Sequence, residues 1–113
     1  MQIEPTILYD TRCEFNTQGT LDKKYNFLHY TRNNYMGVWV PDPDAPFCIA
    51  CDVYAKHGKL NVNFVKEVMA FHKGKHCYLT VELTDLPARW LACTMGFKEV
   101  SKNDEFRCYY RLL

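Results

Sequence analysis

The sequence lacks a dominant charge of either sign. Its 14 lysine and arginine residues nearly balance its 13 aspartate and glutamate residues, which leaves a formal net charge of +1 at pH 7. Balanced and interspersed charges create no strong field that would attract nucleic acid or an anionic membrane from a distance. We therefore expect no nucleic-acid partner.

Long hydrophobic runs are also missing. No stretch approaches the roughly 18 apolar residues of a membrane-spanning helix, and the opening MQIEPTILYD has neither the basic nor the apolar block of a signal peptide. These absences predict a cytoplasmic protein with no membrane partner. The N-terminal methionine and native-looking ends favour a complete small gene product.

What is present is enough apolar surface for one core. The chain has 113 residues, of which 48% are hydrophobic and 15% aromatic, and so we expect a single domain over residues 1–113. Six cysteines are spread through apolar runs, which favours reduced core residues over a disulfide scaffold. They are Cys13, Cys48, Cys51, Cys77, Cys93 and Cys108.

Apolar periodicity predicts alternating strands and helices along the chain. The expected elements are a strand over 3–9, a helix from Asn16 or Thr17 through 21–30, a hairpin of strands 35–40 and 47–55, a helix or strand-to-helix segment over 60–72, a strand over 76–83, a helix from Thr84 or Asp85 to Gly96, and a C-terminal hairpin ending in 106–113. Val65, Val68, Met69 and His72 form the apolar stripe of the central helix, and Gly74 is placed to end it.

The last predicted helix carries a recognisable pattern. DLPARWLACTMGF (85–97) resembles the closing helix of the GCN5-related N-acetyltransferase (GNAT) family, Asn-x-x-Ala-x-x-Leu-Tyr-x-x-x-Gly-Phe. Ala88, Leu91, Gly96 and Phe97 match the pattern, and Asp85 stands at the position of its asparagine. The resemblance is good over 60–113 and rests on element order in the front half. It implies an α/β (α+β) fold with a mixed, mostly antiparallel twisted sheet flanked by about three helices.

Two chemical signatures of that family are absent. Active members carry a Gln/Arg-x-x-Gly-x-Gly/Ala loop, whose bare backbone N–H groups hold the pyrophosphate of acetyl-CoA at a helix N-terminus. Here the corresponding segment AKHGKLNVNFVKEV (55–68) has only Gly58, and Ala92 replaces the tyrosine that protonates the departing thiolate. These departures predict a non-catalytic GNAT-like protein without a cofactor.

Such a protein would act as a protein-binding or structural component. Short, degenerate GNAT-like chains look similar to acetyltransferase-type proteins of tailed bacteriophages, which suggests a virion component or a host-interaction protein, in the host cytoplasm or in the virion. A protein partner, a homo-oligomer or virion assembly would then be expected.

The alternative is an active N-acetyltransferase with an atypical phosphate loop. In that case Glu82 would act as the base for an amine, and Tyr78 or Tyr109 would supply the proton to the thiolate. The residues that would hold acetyl-CoA are Lys56, Gly58, Lys59 and Asp85.

Aromatic and basic residues provide candidate partner surfaces. Trp39 and Phe47 could belong to an exposed aromatic patch, although strands also favour such residues for packing. Arg107, Tyr109 and Arg111 alternate on one face of the last strand, which is either a partner surface or an ordinary solvated face.

A zinc site is the least favoured reading. Cys48, Cys51, His72 and His76 are the correct residue types, but cysteines three apart in a strand point to opposite faces, and the spacing to the histidines is too long. A redox pair would need a helix N-terminus at Cys48. We therefore predict no metal, and His72 as a core or boundary histidine.

Overall fold

A computed structural model describes residues 7–8, 27–31, 34–55 and 60–113. Within these ranges the chain forms seven strands and two helices. The elements, in chain order, are β1 Ile7–Leu8, β2 Phe27–Thr31, β3 Asn34–Trp39, β4 Cys48–Ala55, α1 Val62–Phe71, β5 His76–Glu82, α2 Leu86–Thr94, β6 Lys98–Lys102 and β7 Phe106–Leu112.

The strands form one sheet in the order β1-β2-β3-β4-β5-β7-β6. Every neighbouring pair is antiparallel except β4 and β5, which are parallel. A parallel pair needs a crossover connection, and α1 provides it. The predicted mixed, mostly antiparallel sheet is confirmed, and two of the roughly three predicted helices lie in the described part of the chain.

The sequence prediction is wrong at β2. The helix expected through 21–30 would have included Leu28, but Phe27–Thr31 is a strand paired with β3 in the register Phe27↔Val38. The segment FLHYT is rich in aromatic and β-branched residues, and tertiary pairing with β3 outweighs its helical spacing. The remainder of that predicted helix, and residues 3–6 and 9 of the first predicted strand, lie outside the described residues.

Both helices begin and end where local side chains favour it. The Asn61 side chain accepts hydrogen bonds from two backbone N–H groups in the first turn of α1, and Asp85 accepts one from Ala88 in α2. Gly74 and Gly96 follow the two helices with positive φ angles of 90° and 82°, which only glycine adopts readily. Neither of these helices is long and apolar enough to cross a membrane.

The hydrophobic core joins both helices to the central strands. The expected stripe on α1 is buried, including His72 at 3% exposure, and Ala92 and Met95 bury the matching side of α2. The buried core cluster comprises Met36, Val38, Ile49, Cys51, Phe64, Val65, Val68, Met69, Cys77, Val81, Ala92, Met95, Phe97 and Tyr109.

Candidate functional site

The sheet opens between its two parallel strands. β4 and β5 pair only over Cys48↔His76, Ile49↔Cys77 and Ala50↔Tyr78. Beyond these pairs, β4 stays paired with β3 as far as Ala55, and β5 stays paired with β7 as far as Glu82. The strands therefore diverge and leave a wedge, which we define as the space between 51–55 and 79–82.

Backbone polar groups point into this wedge. His76 N–H donates to the Phe47 carbonyl at 2.9 Å, which fixes the odd-numbered residues of β4 as those that face β5. Groups alternate along a strand, so a longer ladder would have joined Val53 of β4 to Thr80 of β5. The ladder ends at Ala50↔Tyr78, and so these groups face the wedge rather than a paired strand.

A cavity of about 700 Å³ occupies the wedge and the space between it and the two helices. This volume lies within the range of small-molecule sites. Its wall is mainly apolar, with carboxylates at the margin, as is usual for a site that orients a ligand with few polar groups. The carboxylates are Asp52, Glu82 and Asp85, and the apolar residues include Met36, Val53, Val65, Met69, Leu91, Ala92, Met95 and Phe97.

Both helices begin at the wide end of the wedge. α1 follows the carboxyl end of β4, and α2 follows the carboxyl end of β5. The partial positive charge at a helix N-terminus suits an anionic ligand, but at α2 the Asp85 carboxylate already occupies this position as the cap. Asn61 caps α1 with hydrogen bonds of 3.0 and 3.3 Å, and its own N–H donates to the Asn34 side chain at 3.1 Å.

The residues predicted for acetyl-CoA chemistry are only partly brought together. Glu82 and Asp85 line the cavity, and both are exposed. Tyr78 is 38% exposed but does not line the cavity, and Tyr109 is 2% exposed in the core. Lys56, Gly58 and Lys59 lie outside the described residues.

Sequence reasoning missed the wedge and Asp52, which lines it from β4. The strand-helix-strand order over 48–82 was a signal for a parallel pair. No residue marks where the pairing of two parallel strands ends, since the opening is formed by backbone.

The aromatic partner candidates differ in exposure. Phe47 is 56% exposed, and its ring packs edge-on against His76 with centroids 6.1 Å apart. Trp39 is half-buried on β3. Partner binding by these residues stays a prediction.

The three candidates on β7 do not share an open surface. Arg107 pairs with Glu99, with Nε to Oε1 at 2.8 Å, and Tyr109 is buried. Arg111 donates from Nη1 to the carbonyl of Met95, which fastens the end of α2 to the sheet. These contacts make the face a helix-packing surface, and partner binding by it stays a prediction.

The residues of the least favoured zinc reading have separate partners. Cys51 Sγ lies 3.6 Å from Cys77 Sγ, and the hydrogen bond to Cys77, with burial, raises the pKa of the Cys51 thiol. His76 Nδ1 lies 2.7 Å from the Tyr110 hydroxyl. Across the described ranges, no group of three or more His, Cys, Asp or Glu side chains could hold a metal ion.

His72 bonds to another histidine. Its Nε2 lies 2.8 Å from Nε2 of His29, and the two side chains are 3% and 1% exposed. Burial lowers the pKa of both rings to about 4, with a smaller contribution from the charge of His72 on His29 and of Lys75 on His72. At neutral pH the pair is therefore uncharged, with one ring donating and the other accepting.

By sequence, the chain matches no protein family profile and no curated protein. Its structure is similar to solved acetyltransferases. YncA from Salmonella typhimurium, assigned as an acetyltransferase and solved with its cofactor acetyl-CoA, superposes with a TM-score of 0.63 at 10% identity, over 77% of this chain and 63% of that chain. An acetyltransferase of the GNAT family from Streptococcus pneumoniae gives 0.64 at 11% identity, over 77% and 65%.

A third similar structure is the ribosomal-protein-alanine N-acetyltransferase from Brucella melitensis. It superposes with a TM-score of 0.62 at 12% identity, over 77% of this chain and 67% of that chain. The present chain thus spans less than two thirds of the length of the first two proteins.

These findings overturn the prediction of a non-catalytic component without a cofactor. The superposed proteins are acetyltransferases, and one of them is solved with acetyl-CoA. The prediction treated the sparse glycines of 55–62 and Ala92 as decisive, whereas the wedge is formed by strand backbone and depends on neither. Neither the described residues nor the superposed structures support a phage origin, a virion role or protein binding as the main function. The chain has the fold of the GCN5-related N-acetyltransferase (GNAT) superfamily.

Proposed function

We propose that this chain is an N-acetyltransferase that takes its acetyl group from acetyl-CoA and transfers it to an amine. The observation that carries the proposal is the wedge between β4 and β5, together with the fold of the superposed acetyltransferases.

The wedge suits an extended ligand that carries amide groups. Val53 and Thr80 present backbone donors and acceptors that a strand would otherwise use, and a peptide-like chain can pair with such groups. The pantetheine arm of acetyl-CoA has this chemistry. The apolar wall supports its hydrocarbon parts, and the dipole of α1, which begins at the wide end of the wedge behind the uncharged Asn61 cap, suits its phosphates.

Acetyl-CoA supplies a thioester carbonyl as the electrophile. The Val53 N–H is held rigidly in β4 and serves as the donor for negative charge on the carbonyl oxygen during attack. Glu82, at the end of β5 and exposed at the margin of the cavity, accepts the proton of the amine, directly or through water.

The departing thiolate does not need a tyrosine. Ala92 lines the cavity and carries no proton, and neither Tyr78 nor Tyr109 lines it. A thiol has a pKa of about 8.5, so that a thiolate is a tolerable leaving group at slightly alkaline pH. We therefore assign the base to Glu82 and leave protonation of the thiolate to solvent.

The proposal is tested by binding and by turnover with a matched pair of variants. Acetyl-CoA at a hundredfold excess over its Kd should stabilise the folded chain by about 2.7 kcal/mol, read as a rise in Tm. In a thiol-release assay with a panel of amines, Glu82→Gln should reduce kcat by roughly 100- to 10,000-fold and leave the Kd for acetyl-CoA unchanged.

Glu105→Gln is the control, since Glu105 is also an exposed carboxylate but does not line the cavity. It should leave kcat unchanged. The proposal fails if millimolar acetyl-CoA neither shifts Tm nor gives heat in calorimetry. The role of Glu82 alone fails if both variants turn over like the parent.

A further inference from the structure

Trp90 is exposed although it forms part of the cavity wall. Its side chain is 61% exposed, whereas the other aromatic residues in that wall, Phe97 and Phe106, are buried or half-buried. Leu86, four residues earlier on α2, is 64% exposed, so that the two side chains form an apolar ridge along one edge of the helix.

The ridge lies where a ligand would leave the cleft. α2 begins at the carboxyl end of β5, and the ridge occupies its first two turns. If the thioester of the proposed ligand lies near Val53, the rest of the ligand extends along the cavity, whose wall includes residues of both α1 and α2. The part of acetyl-CoA that remains outside is its nucleotide.

Glycines that could form a phosphate-binding loop are few in this sequence. The segment AKHGKLNV (55–62) contains one glycine, so a glycine-lined phosphate cradle contributes little from sequence alone. Purines stack on exposed aromatic faces without needing such a cradle. An indole on the cavity wall offers that face.

We infer that Trp90, with Leu86 beside it, is the platform on which the adenine ring of acetyl-CoA stacks, an inference that rests on the proposed function. The platform belongs to the nucleotide part of the ligand alone. It contributes affinity and orientation and takes no part in the transfer step.

The test compares ligands with and without adenine. Calorimetry with coenzyme A and with 4′-phosphopantetheine is run on the parent, Trp90→Ala and Trp90→Phe. Trp90→Ala should weaken coenzyme A roughly 5- to 150-fold, the effect of one lost base–aromatic stack, and should leave the Kd for 4′-phosphopantetheine unchanged. Trp90→Phe should recover most of the loss.

Phe71→Ala is the matched control, because Phe71 is also 61% exposed but lies outside the cavity wall. It should not change the Kd for coenzyme A. A second readout uses fluorescence in a Trp39→Phe background, which leaves Trp90 as the single tryptophan of the two in the sequence. Coenzyme A should quench this emission, and 4′-phosphopantetheine should not.

The outcomes separate the two proposals. If the parent binds coenzyme A and Trp90→Ala binds it equally well, or if both ligands weaken equally, the platform is refuted while the acetyl-CoA site stands. If emission is not quenched by bound coenzyme A, the platform is likewise refuted. If the parent binds neither ligand, both the proposed function and the Trp90 platform are refuted.

Discussion

Replacing Val53 by proline removes one backbone N–H from the wedge. Val53 is an odd-numbered residue of β4, and so its N–H faces β5, where the pairing has already ended. The β3–β4 ladder uses the alternate residues, including Asp52 opposite Gly37. Proline at position 53 therefore deletes a group that the fold does not use and that the proposed chemistry does use.

The expected loss is large in catalysis and small in stability. Removing one donor to a developing oxyanion lowers kcat by about 100- to 1,000-fold, or about 2.7–4 kcal/mol. Proline is tolerated in strands where its missing N–H would not have entered a ladder, and position 53 meets this condition. We expect Val53→Pro to stay folded, with a free energy of unfolding within about 2 kcal/mol of the parent.

Two controls separate backbone from side chain. Val53→Ala keeps the N–H and trims a half-buried side chain, which should cost about 1 kcal/mol of stability and little activity. Asp52→Pro removes an N–H from the β3–β4 ladder and should unfold the domain or lower its Tm strongly.

The assays are thiol release with acetyl-CoA for kcat and urea denaturation for stability. If a folded Val53→Pro retained parental kcat, the Val53 N–H would not be the donor. If Asp52→Pro and Val53→Pro were equally destabilised, the Val53 N–H would belong to the β3–β4 ladder and would not face the wedge.

Two further predictions concern stability. Burial lowers the pKa of His29 and His72 from 6.5 to about 4, so that between these pH values the unfolded chain binds more protons than the folded chain. The free energy of unfolding should therefore be highest above pH 6.5 and fall by about 3 kcal/mol for each histidine as the pH drops to 4. In urea titrations at several pH values, His72→Gln should remove roughly half of this pH dependence. Alanine at Gly74 or Gly96 should lower the free energy of unfolding by about 1–2 kcal/mol, because φ is +90° and +82° at these positions. The added Cβ would meet no atom closer than 3.7 Å, so backbone strain is the only cost expected. A much larger loss of stability at Gly96 than at Gly74 in urea denaturation would contradict this account.

The C-terminal half was predictable because its signals are local. Asp85 caps α2, Gly96 ends it, and the strand over His76–Glu82 was expected over 76–83. The apolar stripe of α1 was equally readable, since helical spacing and burial agree. In each case, a single capping residue or the helical or strand spacing of apolar residues determines the local structure.

The front half and the site depended on distant partners. The segment FLHYT has helical spacing with the preceding residues, but pairing with β3 makes it a strand. Tyr109 shares a face of β7 with Arg107 and Arg111, a pattern that is typical of a solvated face. In the structure, α2 packs over this face and Tyr109 is buried. The wedge arises where the backbone pairing of two strands ends, and the pattern of side chains in the sequence does not predict that point.

A sheet that stops pairing after Ala50 and Tyr78 is held together across its middle by only three residue pairs. Each backbone hydrogen bond that β4 and β5 forgo would contribute about 1 kcal/mol in a continuous sheet. The gap between β4 and β5 is therefore part of the fold, and the amide groups of the proposed acetyl-CoA ligand would pair with the backbone groups on either side of it. Under the proposed function, binding of acetyl-CoA would therefore stabilise the sheet at the same time as it positions the ligand.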